Sequence, residues 1–187
     1  MASGYVDVAH ATYDEWRTNT LGNAYDLDGS YGCQCWDYAS LFWRNVGFPA
    51  GYPLTGDLHY AYQCWTQNRL NNIAYDGTTY FDLINTLVEV KRGDVIVMDG
   101  TSANPPGHIT FADEDYDGSG YIWCIGQNQG GTPEPGGGTA VTRNHLGTGD
   151  FLGAFRYKAW HTTPPTPSYR KGRFPWVLYA RKLRSKR

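Results

Sequence analysis

Residues 94–128, DVIVMDGTSANPPGHITFADEDYDGSGYIWCIGQN, contain three short runs rich in β-branched and aromatic residues: DVIVMD, HITFAD and YIWCIGQ. Each is closed by Gly, Pro or Asp, which is strand chemistry. Two more such runs follow, TAVTR from Thr139 and FLGAFRYKAW from Phe151. Upstream the texture is helical. Residues 5–19 set Val6, Ala9, Tyr13 and Trp16 at helical spacing, and CWDYASLFWRNVG (35–47) places Cys35, Ala39, Phe42 and Val46 on one face, with Gly47 as its stop. Residues 57–70 and 80–88 read as further short helices. Helices first and strands after predict an α+β domain, N-terminal helices packed on a twisted antiparallel sheet.

The rest of the composition agrees with one such domain. The chain has 187 residues, 41% of them hydrophobic and 18% charged, enough for a core and too few charges for a disordered polyelectrolyte. No apolar stretch approaches the ~20 residues of a membrane span, and MASGYVDVAH lacks the basic and apolar regions of a signal peptide. Cys33, Cys35, Cys64 and Cys124 are therefore expected as thiols, and their spacing matches no zinc pattern. Residues 1–167 hold 8 Lys+Arg against 18 Asp+Glu, a net −10, whereas residues 168–187 hold 8 and 0, a net +8. An acidic body of this kind is not the electrostatic footprint of a nucleic-acid binder. The expected division is a folded domain over 1–161, a Thr/Pro linker over 162–167 and a basic, aromatic tail over 168–187. That tail is either a terminal strand or an electrostatic anchor for anionic polymers, a membrane or nucleic acid.

The densest chemistry lies in residues 26–37, DLDGSYGCQCWD. Asp26, Asp28, Ser30, Gly32 and Asp37 occupy positions 1, 3, 5, 7 and 12 of a loop, the spacing by which an EF-hand surrounds calcium. Carboxylates this close repel one another, and a hard cation relieves the repulsion. Tyr31 at position 6 and Asp at position 12 depart from the EF-hand pattern, and a solvated turn capping a helix is the competing reading. Asp113, Asp115 and Asp117 imitate the first half of such a loop, but between two strand runs they read as a hairpin turn.

Inside the aspartate loop, Cys35 opens the second helix. A thiol there feels the positive end of the helix dipole, which lowers its pKa toward the nucleophilic thiolate. A buried structural cysteine is the bland alternative. His108, first in its strand and preceded by Gly107, is the best-placed base. In the next strand Cys124, Gly126 and Asn128 share a face, so Asn128 is the candidate to orient the imidazole.

DLDGSYGCQCWD, GDVIVMDG, GHITFADE and YIWCIGQN, in this order, resemble the CHAP family (cysteine, histidine-dependent amidohydrolases/peptidases), and more narrowly the calcium-binding CHAP domains of bacteriophage endolysins. The resemblance covers about residues 5–160. It implies a papain-like fold and cysteine-dependent hydrolysis of an amide bond in bacterial peptidoglycan, as N-acetylmuramoyl-L-alanine amidase or endopeptidase. Cys35 would be the nucleophile and His108 the base, with the Cys35 N–H and the Gln34 side chain at the oxyanion. Asp26, Asp28 and Asp37 would give carboxylate oxygens, and Ser30 and Gly32 carbonyls, to a structural Ca2+. Many relatives carry Glu-x-Asn in the third block, the Glu orienting the histidine, whereas here those positions are Gly126 and Asn128. Synthesis in the host cytoplasm with holin-dependent release, or carriage in the virion, follows from the same likeness. A non-catalytic calcium module and an NlpC-type hydrolase of another substrate are the alternatives.

Overall fold

The computed structural model describes residues 2–3, 6–47, 60–68, 71–72, 75–76 and 79–162. The linker after Thr162, the basic tail and residues 57–59 and 69–70 of one expected helix lie outside them.

Helix α1 runs from Tyr13 to Thr20, beginning well inside the expected 5–19 segment. The reason is local. The Thr12 hydroxyl accepts the Glu15 N–H at 3.1 Å, and the Glu15 carboxylate accepts the Ala11 N–H at 2.9 Å. This Thr-x-x-Glu box satisfies amides that a helix start leaves without partners, and so fixes where the helix begins. Helix α2 spans Cys35–Asn45 as expected, with Cys35, Ala39, Phe42 and Val46 all buried.

Strand β1 (Ala2–Ser3) pairs in parallel with β2 (Tyr25–Asp26), and β3 (Asn71–Asn72) pairs antiparallel with β4 (Tyr75–Asp76). The main sheet has six strands: β5 (Phe81–Ile84), β6 (Val95–Met98), β7 (His108–Ala112), β8 (Tyr121–Gly126), β9 (Thr142–Gly147) and β10 (Phe151–Tyr157). Their spatial order is β5-β10-β6-β7-β8-β9, every neighbour antiparallel. Helix α3 (Lys158–His161) follows β10. The α+β architecture, helices on an antiparallel sheet, is the one the sequence predicts.

Two expected elements change. Residues 81–84 form an edge strand and not a helix, because they pair with β10 from Ile84↔Ala154 to Phe81↔Tyr157, although Phe81 and Ile84 are buried at helical spacing. Only a 3-10 turn, Leu87–Glu89, follows it. Within 57–70 the described helical piece is a π-turn, Cys64–Asn68. The fourth strand run starts later than expected, at Thr142.

One face of the sheet carries the larger core. Tyr38 and Phe42 of α2 meet Phe111 of β7 with ring centroids 5.0 and 5.1 Å apart, and Trp16 of α1 stacks on Tyr38 at 5.5 Å. Edge-on and offset aromatic contacts of this kind add roughly 0.5–1.5 kcal/mol each beyond the area they bury. They lock the first half of α2 onto β7. As a result the first residue of α2, Cys35, is brought to the first residue of β7, His108.

Candidate active site

Cys35 is buried at the first helical position of α2. Its thiol interacts with His108 and with the backbone of Ile109 and Trp36. Burial alone would push this thiol up. The His108 charge and hydrogen bond, with the two backbone donors, outweigh burial and hold the thiol below its ordinary range. His108 responds reciprocally: burial would pull its pKa down, but the Cys35 thiolate, and next a hydrogen bond to Gln129, raise it. The two groups therefore favour a thiolate–imidazolium pair, the activated form of a cysteine nucleophile.

The partner of His108 is not Asn128. His108 Nε2 lies 3.2 Å from Gln129 Oε1, whereas the Asn128 amide donates to Gln34 Oε1 at 2.8 Å. Strict alternation fails because β8 ends at Gly126 and Asn128 takes a left-handed backbone, φ 55°. That reversal returns the Gln129 side chain beside Gly126. Asn tolerates this conformation better than most residues, and the Asn-Gln-Gly-Gly run after the strand is the signal of the turn. Gln127 leaves the site and binds both backbone groups of Tyr25. Asp113 is also removed from His108, held by Arg17, Arg143 and the Tyr13 hydroxyl.

Gln34 caps the helix start. Its own N–H donates to Asp37 Oδ2 at 2.9 Å, and its side-chain Nε2 donates to the Tyr31 carbonyl at 2.6 Å. The Gln34 side-chain amide is thus engaged, and the first-turn amides of α2 are the helix-start donors that flank Cys35 in the chain. A groove of about 960 Å3 leads to Cys35, with Tyr31, Trp36, Tyr60, Asn128 and Gly136–Gly138 on its walls. Its glycine wall is structural. A Cβ on Gly32 would lie 2.3 Å from the Gly137 carbonyl, and one on Gly138 would lie 1.9 Å from the Cys33 carbonyl. The two segments approach as backbone, with Cys33 N–H donating to Gly137 O at 2.9 Å.

Carboxylate oxygens of Asp26, Asp28 and Asp37 lie within 4.8 Å of one another. Asp26 accepts from Gly29 N–H, Asp28 from Ser30 N–H, and buried Asp37 from both Leu27 and Gln34. Burial lifts the Asp37 pKa to about 6, against the lowering effect of its two backbone donors, and the neighbouring Asp28 and Asp26 charges add to the rise. Three hard oxygen donors with no His or Cys among them suit a hard divalent cation better than zinc. Gly29, Tyr31 and Gly32 all have positive φ, which curls the loop around this cluster.

A family model described as CHAP domain matches residues 13–128. The chain belongs to the CHAP family. A relative named D-alanyl-L-alanine endopeptidase, from Streptococcus phage B30, is 40% identical over 124 residues, covering 65% of this chain and 25% of its own length. The CHAP chain thus spans about a quarter of that relative. Among solved structures, the wild-type endolysin LysIME-EF1 superposes with a TM-score of 0.59 at 22% identity, covering 78% of this chain and 64% of that one. This likeness shows a shared fold. Ly7917 gives a TM-score of 0.46 at 19% identity, with 74% and 58% covered, too low to carry an argument.

Proposed function

We propose that this CHAP domain hydrolyses an amide bond of bacterial peptidoglycan by cysteine nucleophilic catalysis. The observation that supports it most is the Cys35 thiol at the head of α2, interacting with His108 and facing a groove. The Cys35 thiolate attacks the scissile carbonyl carbon, and the carbonyl oxygen takes the negative charge beside the first-turn amides of α2. As the oxyanion collapses, the C–N bond breaks and the His108 imidazolium gives its proton to the departing amine. A thioester remains on Cys35. His108, now neutral, takes a proton from water, the hydroxide adds to the thioester, and the carboxylic product leaves with the thiolate restored.

The relative's name makes the D-alanyl–L-alanine peptide bond the first candidate for the bond cut. The muramoyl–L-alanine amide is the second. Mass spectrometry of peptidoglycan digested by the purified chain distinguishes them by the other new end, a free D-alanine carboxylate in the first case and a free muramoyl carboxylate in the second. Lysis surviving in Cys35→Ala would refute the cysteine reading, whereas a wild-type chain that releases no product from purified wall would favour a non-catalytic role.

Asp26, Asp28 and Asp37, with the Ser30 and Gly32 carbonyls, would hold Ca2+. Bound there, the ion supplies charge compensation and rigidity and takes no part in bond making. Asp37 would then join the ion to the cap of α2, and so to the placement of Cys35. Among the described residues no helix is long and apolar enough to cross a membrane. The proposed place of action is the cell wall, reached after synthesis in the host cytoplasm or from the virion. The +8 segment 168–187 would add salt-sensitive attraction to anionic wall polymers. Truncation after Pro167 should weaken binding to whole cells at low salt while solubilised wall fragments are still cut.

A further inference from the structure

Gln129 combines three relations that no single sequence signal announces. Its Oε1 faces His108 Nε2 at 3.2 Å and the Thr110 hydroxyl at 2.7 Å. Its Nε2 donates to the Cys124 and Thr142 carbonyls at 3.1 and 2.8 Å. Its main-chain carbonyl accepts from the Asn144 side chain. An amide nitrogen has two hydrogens, and both are used on carbonyls, so the side chain has one orientation: nitrogen toward the strands, oxygen toward His108. An acceptor fixed at Nε2 requires the imidazole to carry a proton there. Nδ1 is then the nitrogen left for the Cys35 thiol.

Gly126 is the complement of this arrangement. A Cβ at 126 would meet both Gln129 Oε1 and the Thr110 hydroxyl at 2.7 Å, closer than real Cβ contacts come. The space a side chain at 126 would use is the space the Gln129 amide fills. A carboxylate in place of that amide would set an oxygen without hydrogens against two buried carbonyls, an arrangement that costs an unpaired acceptor pair. The surroundings thus select an amide.

We propose that Gln129, accommodated by Gly126, is the positioning residue that fixes the tautomer and ring orientation of His108 in this chain, in place of a side chain at 126 or of Asn128. The inference rests on the cysteine–histidine reading above. It makes His108 orientation depend on a neutral acceptor, so among the described residues the imidazolium is supported by the Cys35 thiolate and the Gln129 amide oxygen and by no carboxylate.

The test uses the full chain, measuring wall lysis and the pH profile of Cys35 alkylation by iodoacetamide. Gln129→Met, unbranched and without an acceptor, should lower lysis at least ~10²-fold, as loss of an orienting partner does in triad enzymes, and shift the alkylation profile to higher pH. Gln129→Glu should leave that profile at or below the wild-type pH, since an acceptor for Nε2 is kept. Both variants lose bonds to the Cys124 and Thr142 carbonyls, so a purely structural role would move both profiles the same way, and that result overturns the proposal. Gly126→Ala should reproduce the Gln129→Met profile by displacing the amide; a wild-type profile and rate would overturn it as well. Nitrogen-15 NMR of the wild-type ring needs no variant. At high pH, once the imidazolium has lost a proton, the remaining one should sit on Nε2, and an Nδ1–H tautomer would refute the assignment. Cys35→Ala serves as the separate control: lysis without Cys35 defeats the parent reading, whereas loss of lysis there with indifferent Gln129 variants defeats this inference alone.

Discussion

The carboxylate of Asp37 accepts the backbone N–H of Gln34 at 2.9 Å, and Gln34 is the residue immediately before Cys35. The other Asp37 oxygen accepts Leu27 N–H at 2.9 Å, ten residues upstream. One buried side chain therefore closes the aspartate loop and caps the helix that carries the thiol. Asp37→Ala leaves two donors without their acceptor. Capping losses of ~0.5–2 kcal/mol and unsatisfied donors of ~1–3 kcal/mol each lead us to expect at least about 2 kcal/mol of destabilisation, with lysis falling more steeply than stability. Urea unfolding beside a turbidity assay checks both, and an unchanged midpoint would show that the cap carries little.

Asp37 also sets a pH dependence. Its folded pKa of about 6 lies above that of an unfolded carboxyl, ~3.9. Between those values the native state binds the extra proton, so the Asp37 contribution to stability declines as pH rises through that window. In chelator, the stability difference between wild type and Asp37→Asn should shrink from pH 4 to pH 6 and then level off. Taking the difference removes carboxylates such as Asp113, whose pKa stays low despite burial because Arg17 and Arg143 bind it. A difference that grows over the window would contradict the burial argument.

If the three aspartates hold Ca2+, binding must displace the Asp37 proton below that pKa. Calorimetry in two buffers of different ionisation enthalpy should show proton release near pH 5 and little above pH 7.5. At free calcium ~100-fold above Kd, linkage gives roughly 2.7 kcal/mol of added stability, so chelation should lower Tm and Asp28→Ala should abolish the calcium response. A melting curve indifferent to chelator would remove calcium from the site.

The sequence made much of this visible for a physical reason. Cys35, Asp26, Asp28 and Asp37 are close in the chain, so their spacing alone describes a loop and a helix start. His108 announced itself by opening a strand after Gly107. The face of α2 followed from periodicity and five of the six sheet strands from their β-branched and aromatic runs, whereas the expected N-terminal helix face failed at Val6 and Ala9, which are exposed and precede α1. Residues 81–84 did not, because Phe81 and Ile84 are three apart and imitate a helix face, and only their pairing with β10 makes them a strand. Gln129 was hidden by a conformational event: alternation assigns Asn128 to the histidine until a left-handed backbone at that residue ends the alternation.

The mutual influence of Cys35 and His108 predicts how the nucleophile titrates. Because the thiol pKa is lowered and the imidazole pKa raised, each by the other, iodoacetamide should react with Cys35 at pH values where an ordinary thiol, pKa ~8.5, is protonated. His108→Ala removes the charge and the hydrogen bond but leaves burial, so alkylation should shift above the free-thiol range and lysis should be lost. Cys33, Cys64 and Cys124 are raised by burial, and Cys35→Ala should therefore remove the low-pH alkylation entirely. Labelling of another cysteine at low pH would place the reactive thiol elsewhere.

Tyr31 offers a way to separate stability from wall contact. It is 88% exposed on the groove rim while its backbone sits at φ 63°, a left-handed conformation that an L side chain adopts at a cost. That cost is roughly 1–2 kcal/mol for most residues, and nothing buried there repays it. Gly carries no such penalty, although its freer unfolded chain returns part of the gain. Tyr31→Gly should therefore unfold at equal or slightly higher urea concentration than wild type. Its ring borders the path to Cys35, so if the groove takes the proposed wall substrate, the same variant should raise KM on purified wall several-fold. The Cys35 alkylation rate should stay close to wild type, because the thiol's partners are His108, Ile109 and Trp36. Tyr31→Phe, which keeps the face and the backbone strain, should restore KM without the gain in stability. If Tyr31→Gly lost stability and left KM unchanged, the strained tyrosine would be holding the loop instead of the substrate.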